Sequence, residues 1–223
     1  LAAWQKDFNQ VQRVDLPVSG DGAAQDNFGI ALSIQGSTAL IGAYLDDRDT
    51  FSNIGSAYVY VRSGDQWVYQ AKLTSTTFPL SHNHWFGYAV AIDGDTAVIG
   101  APQDMFASSG GPGYALVFTR TGTTWTQRTL IGASDGANLD RFGSAVAIDV
   151  STGTIVVGAQ RDDNALGTDA GAAYVYTGSG ATWTQQAKLI GATVSASTWY
   201  GYSVDIDNDT VVVGARRALV AGI

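Results

Sequence analysis

The chain has 223 residues, 45% of them hydrophobic and 14% charged, enough to bury a substantial core and too apolar for a disordered segment. Its formal charge of -8 and pI near 4.4 disfavour binding to a nucleic-acid backbone, and no run approaches the roughly 18 apolar residues of a membrane span. Cysteine is absent, which excludes a disulfide framework and a thiolate metal site. The chain opens Leu1-Ala2-Ala3 rather than with methionine. The expectation is a processed or trimmed chain, or a fragment, whose targeting segment is already gone.

In chain order, "VQRVDLPVSGDGAAQDNFG" reads as an outer strand and the loop after it, with Leu16 standing where Leu73, Leu130 and Leu189 stand later. Four segments then align from Phe28, Phe86, Phe142 and Tyr200: "FGIALSIQGSTALIGA", "FGYAVAIDGDTAVIGA", "FGSAVAIDVSTGTIVVGA" and "YGYSVDIDNDTVVVGA". Between them recur "SAYVYVRSGDQWVYQAKL" from Ser56, "YALVFTRTGTTWTQRTL" from Tyr114 and "AAYVYTGSGATWTQQAKL" from Ala172. Trp67, Trp125 and Trp183 keep the same period of about 58 residues. Two independent anchors on one period establish an internal repeat.

Each unit reads as four short strands. "YAVAID" alternates with period two, as a half-buried strand does, and Asp93-Gly94 reads as a tight hairpin turn. "TAVIGA" is almost wholly apolar, the pattern of a strand covered on both faces. "AYVYVR", a Gly-containing turn and "WVYQAKL" supply strands three and four. No segment sustains a 3.6-residue apolar period, so helix is not expected. The paired glycines predict close backbone approach, and the aromatics Phe28, Phe86, Phe142 and Tyr200 are expected to wedge between neighbouring units.

Four-stranded units at this period predict an all-β fold, a β-propeller of about four antiparallel blades, because one such sheet cannot hide both apolar faces alone. The prediction is a single domain over 1–223, with blade repeats beginning near 28, 86, 142 and 200 and residues 1–27 supplying an outer strand. "ALVAGI" at the C-terminus is a candidate third strand. Three arrangements satisfy this reading: a four-bladed ring closed by pairing of the termini, an arc of a larger propeller, or two chains pairing into an eight-bladed ring.

Phe-Gly opening the first strand and Gly-Ala or Gly-Ala-Pro closing the second resemble the FG-GAP repeat, the blade unit of integrin α-subunit propellers and of microbial and algal extracellular proteins. The "WTQQAKL" fourth strand is closer to the microbial and algal type. The resemblance implies an extracellular or cell-surface protein. It also brings in calcium, which integrin-type blades bind in a D-x-D-x-D-G hairpin between strands one and two. This sequence departs from that pattern: only Asp93 with Asp95, and Asp207 with Asp209, offer two carboxylates, in turns too short to wrap an ion. The other reading of these four residues is a solvated hairpin turn.

In a propeller of this type the loops after strands two and four share one face, where Asp46, Asp47, Asp104, Asp162 and Asp163 are expected to gather, with Asp49, Asp135, Asp140 and Asp169. Such a rim suits calcium or a basic or hydroxylated ligand, and equally a solubilising acidic surface. His82 and His84, the two histidines, share a loop with Trp85 and are candidates for metal or acid–base work. Trp85 and Trp199 immediately precede the Phe/Tyr-Gly pair and are candidates for stacking on a sugar or anchoring a protein. No nucleophile elbow, zincin helix or phosphate-binding loop is present. The functional expectation is a non-enzymatic extracellular propeller for adhesion or assembly, with protein or glycan partners or copies of itself. The alternatives are a lyase-like polysaccharide enzyme and a structural subunit of a filament.

Overall fold

A computed structural model describes residues 14, 23, 25–48, 50–77, 83–103, 110–192 and 195–218. The first blade comprises β1 (Leu32–Gln35), β2 (Thr38–Ala43), β3 (Ser56–Ser63) and β4 (Gln66–Leu73). The second comprises β5 (Ala89–Asp93), β6 (Thr96–Ala101), β7 (Tyr114–Thr121) and β8 (Thr124–Ile131). The third comprises β9 (Phe142–Asp149), β10 (Thr154–Ala159), β11 (Ala172–Ser179) and β12 (Thr182–Leu189). The fourth repeat contributes β13 (Tyr200–Asp207) and β14 (Thr210–Ala215). Each complete blade is an antiparallel meander whose spatial order is its chain order, and β13 and β14 form a two-stranded sheet. The first strands of successive blades lie side by side while the fourth strands diverge, the radial arrangement of a propeller. Of the N-terminal outer strand only Val14 is described, packed against the first blade's cluster, and nearly all of "ALVAGI" falls outside the described residues.

The strands follow from the pattern of side chains. β2, β6 and β10 are buried almost throughout, while β4, β8 and β12 alternate exposed and half-buried positions as outer strands. The hairpin between β5 and β6 turns at Gly94-Asp95 rather than Asp93-Gly94: Asp93 still pairs with Thr96, and Gly94 takes the positive φ of 55° that the first turn position requires.

The blades pack through two apolar cores. One joins Leu40, Val59 and Leu73 of the first blade to Phe86, Ile92, Ile99 and Leu116 of the second. The other joins Val98, Val117 and Ile131 to Phe142, Ile155, Val157 and Tyr174 of the third. Phe86 and Phe142 are wholly buried between blades, as the wedge reading requires. Trp67, Trp125 and Trp183 pack against these cores or the first blade's own cluster.

The glycine pairs explain how the strands come so close. A Cβ on Gly42, Gly100 or Gly158 would lie 2.0 Å from the carbonyl oxygen of Gly87, Gly143 or Gly201 in the next blade. The receiving glycine also sits at φ near +90°, at the third position of a turn closed by Tyr88 N–H donating to Trp85 C=O and its equivalents. One interface contact therefore demands glycine on both sides.

Candidate functional site

The loop face is built from the residues on either side of each Phe/Tyr-Gly pair. Two residues before the pair stand Asp26, His84, Asp140 and Thr198, all buried. Each gives its backbone carbonyl to the residue two places beyond the Gly-Ala of the second strand: Leu45, Gln103, Arg161 and Arg217. His84 thus occupies a packing position of the repeat, and His82 lies outside the described residues. Burial, reinforced by Asp162 and Asp163 and opposed by the Ala137 N–H, pushes the Asp140 carboxyl up to about 6. Asp26 is raised as well, chiefly by burial.

The acidic candidates divide into two structural sets. Asp46 is 1% exposed and accepts hydrogen bonds from Tyr58 (2.9 Å) and Lys72 (2.8 Å). Asp162 repeats this with Tyr174 (2.6 Å) and Lys188 (2.9 Å), and Asp135 joins at 2.9 and 2.7 Å from the same two donors. Burial opposes ionisation of Asp135, but the hydrogen bonds from Lys188 and Tyr174 outweigh it and hold its carboxyl below the usual range. Burial and the two carboxylates raise the Tyr174 hydroxyl far above its ordinary value. The second blade has Leu116 and Leu130 where the first and third have tyrosine and lysine, so the network belongs to alternate blades; strand pairing thus sets Leu130 in the place of Lys72 and Lys188, and Ile131, not Leu130, in that of Leu73 and Leu189. Asp47 and Asp163 are exposed and each holds a loop N–H, of Asn53 and Asp169, at 2.8 Å. Asp104 lies outside the described residues.

Trp85 and Trp199 come together with residues that the sequence reading assigned no binding role. The position before the Phe/Tyr-Gly pair is Asn27, Trp85, Arg141 and Trp199, and all four have φ between 54° and 59°. Trp85 stacks on Tyr88 (5.8 Å between centroids, 10° between planes), and Trp199 stacks on Tyr202 (6.4 Å, 12°). Tyr44 of the first blade meets both Trp85 and Tyr88 edge-on. Arg141 of the third blade lies over Trp85, while Arg161, Arg216 and Arg217 lie over Trp199, the last at 3.8 Å.

Burial raises the Tyr88 hydroxyl, against the pull of Arg141, and the groups it senses include Tyr202, Tyr44 and Arg216. The contacts form two groups on this face: Tyr44, Trp85, Tyr88 and Arg141 from the first three repeats, and Trp199, Tyr202, Arg161, Arg216 and Arg217 around the fourth. Four of the chain's 12 basic residues gather there on a protein of net charge -8. Among the described residues, the indole N–H groups of Trp85 and Trp199 and the Arg161 Nε–H are buried without an acceptor, the state that a bound acceptor or ordered water completes. Comparing the same positions across repeats is the signal that would have found the arginines.

At the opposite face, the calcium candidates serve the turns. Asp93 accepts the Val150 N–H of the next blade at 2.7 Å, and Asp95 pairs with Arg120 at 2.8 Å. Asp207 accepts the Asn208 side-chain amide, and Asp209 is exposed beside it. No group of three His, Cys, Asp or Glu side chains among the described residues is placed to hold a metal ion.

The sequence profile described as FG-GAP repeat matches residues 17–60, 67–118, 125–176 and 183–220. No curated protein matches the chain closely enough to count as a relative. Among solved structures, the chain is similar to the crystal structure of the Niastella koreensis GH74 enzyme, with 18% identity and a TM-score of 0.44. That likeness covers 82% of this chain and 27% of the enzyme, and it carries no argument about activity. No helix among the described residues is long and apolar enough to cross a membrane.

Proposed function

The chain belongs to the FG-GAP repeat family, and from that premise we propose that it is a non-enzymatic binding propeller, secreted or displayed at a cell surface, that holds an extracellular glycan on its loop face. The family fixes the scaffold but not the ligand, since function resides in sites grafted on a fold. The observation that carries the reading is the two aromatic–arginine groups of the loop face, Tyr44, Trp85, Tyr88 and Arg141 in one and Trp199, Tyr202 and Arg161 in the other. Aromatic planes stack on the apolar face of a sugar ring, and guanidinium groups pair with carboxylates through parallel hydrogen bonds. A glycan bearing carboxylates satisfies both and supplies acceptors for the unmatched N–H groups. A rigid propeller presents such a surface with little ordering penalty.

Calorimetric titration against neutral and uronate-containing polysaccharides tests this reading. Wild type is expected to bind the uronate-containing set, and Trp199→Ala and Arg161→Gln are each expected to weaken binding at least about tenfold, the loss of roughly 1.4 kcal/mol. Equal binding to neutral glycans would remove the carboxylate from the argument. Capture of an acidic polypeptide and no glycan would replace the ligand class. Release of unsaturated uronate products would turn the reading to a lyase, and the His82→Ala, His84→Ala double variant would then show whether the histidines act.

A further inference from the structure

The two aromatic–arginine groups of the loop face are copies of one arrangement. Trp85 and Trp199 stand just before the Phe/Tyr-Gly pair of the second and fourth repeats, and Tyr88 and Tyr202 stand just after it. The first and third repeats carry Asn27 with Ile30, and Arg141 with Ser144, at those positions, so the arrangement recurs in alternate repeats. Each indole lies nearly parallel to its tyrosine, at 10° and 12°. Each also has a guanidinium over it, from Arg141 at 5.7 Å and from Arg161 at 5.3 Å. Among the described residues, each indole N–H is buried without an acceptor. The same unmatched donor at the same repeat position is a recurring feature rather than an isolated packing fault, and an acceptor from a ligand completes it.

The third blade ties the two copies together. Both guanidinium groups belong to it, Arg141 reaching back over Trp85 of the second blade and Arg161 forward over Trp199 of the fourth. Asp140, the residue before Arg141, accepts the Arg161 backbone N–H at 3.1 Å, so the two arginines are fixed relative to each other. Tyr88 of one group lies within electrostatic reach of Tyr202 and Arg216 of the other. Trp85, Trp199, Arg141 and Arg161 are all half-buried rather than enclosed.

We propose that the two groups are paired subsites for one linear acidic oligosaccharide, each subsite taking the carboxylate of a different uronate residue. The proposal rests on the glycan reading above and adds to it a ligand of minimum length whose charged residue repeats. An indole N–H and a guanidinium supply donors for both oxygens of one carboxylate. A second such pair, held at a fixed separation by the third blade, selects a ligand that repeats its carboxylate along a chain. A linear polyuronate does so and a single uronate does not. Once the first subsite is filled, the second is reached intramolecularly, and affinity rises without any new kind of contact. Arg216 and Arg217 also lie over Trp199, which makes that subsite the stronger of the two.

Calorimetric titration of the full chain with linear oligogalacturonates and oligomannuronates, from about two to about ten residues long, tests the proposal. Wild type is expected to bind two short oligomers per chain but a single long one, with affinity rising about a hundredfold across that change of stoichiometry. Trp85→Ala and Trp199→Ala are each expected to take one oligomer per chain at every length. Each variant should lose the rise and keep an affinity near that of wild type for short oligomers. Should either fail to fold, as read by circular dichroism, Arg141→Gln and Arg161→Gln replace them with the same expectation. One oligomer per wild-type chain at every length, an affinity that does not grow with length, or a rise that survives in both single variants would each overturn the paired subsites while leaving glycan binding in place. Failure of every oligomer to bind would overturn the uronate reading itself, and the paired subsites with it.

Discussion

Placing alanine at Gly100 and at Gly214 separates the blade-contact argument from any general effect of losing a glycine. Both residues occupy the same place in the repeat, and neither has a positive φ, so alanine meets no backbone strain at either. At Gly100 the new Cβ would stand 2.0 Å from the Gly143 carbonyl oxygen, whereas real Cβ contacts essentially never fall below 3.0 Å. The obstacle is backbone, so the second and third blades must part by about 1 Å, enough to forfeit a quarter to a half of each dispersion contact across the gap. Over the core joining Val98 and Val117 to Phe142 and Ile155, that amounts to about 3 kcal/mol or more. At Gly214 the nearest atom is the Ser203 hydroxyl, which can rotate away. Alanine there stiffens the unfolded chain and is expected to be neutral or stabilising by up to about 1 kcal/mol. Urea unfolding of the dilute chain reads both. Equal midpoints for Gly100→Ala and Gly214→Ala would show that the glycine seats do not hold the blades together.

Three further outcomes are expected. Phe142→Ala removes a wholly buried ring between blades and should cost about 3–5 kcal/mol in chemical unfolding, while Phe28→Ala, at a half-buried ring, should cost visibly less. Lys188→Met leaves Asp162 buried without its cation and should destabilise by about 3 kcal/mol in urea unfolding at pH 7. Asp140, with its folded value raised from 3.8 to about 6, takes up a proton on folding, so its contribution is most favourable below pH 4 and is lost as pH rises through 6. Asp140→Asn should therefore match wild type below pH 4 and exceed it at pH 7 by at most about 3 kcal/mol, and an unchanged pH profile of unfolding would contradict this.

The repeat carried much of the fold into plain view. Phe-Gly and Gly-Ala recur because each blade contact needs glycine on both sides, and Trp67, Trp125 and Trp183 recur because each outer strand packs alike. The candidate site was only half legible. Trp85 and Trp199 stood out as aromatic breaks in the loop pattern, but Arg141 and Arg161 reach them only through the radial stacking of blades, and Arg216 and Arg217 reach Trp199 through the pairing of β13 with β14.

The acidic loops show the reverse. Asp46 and Asp162 read as free carboxylates along the chain, yet Tyr58 with Lys72, and Tyr174 with Lys188, arrive from neighbouring strands and enclose them. Local spacing by itself determined the strands, the turns and the need for neighbours, because those depend on side chains a few residues apart. Which charges are shielded and which arginines reach which tryptophans were decided only by tertiary structure, because burial and pairing depend on segments some 60 residues away.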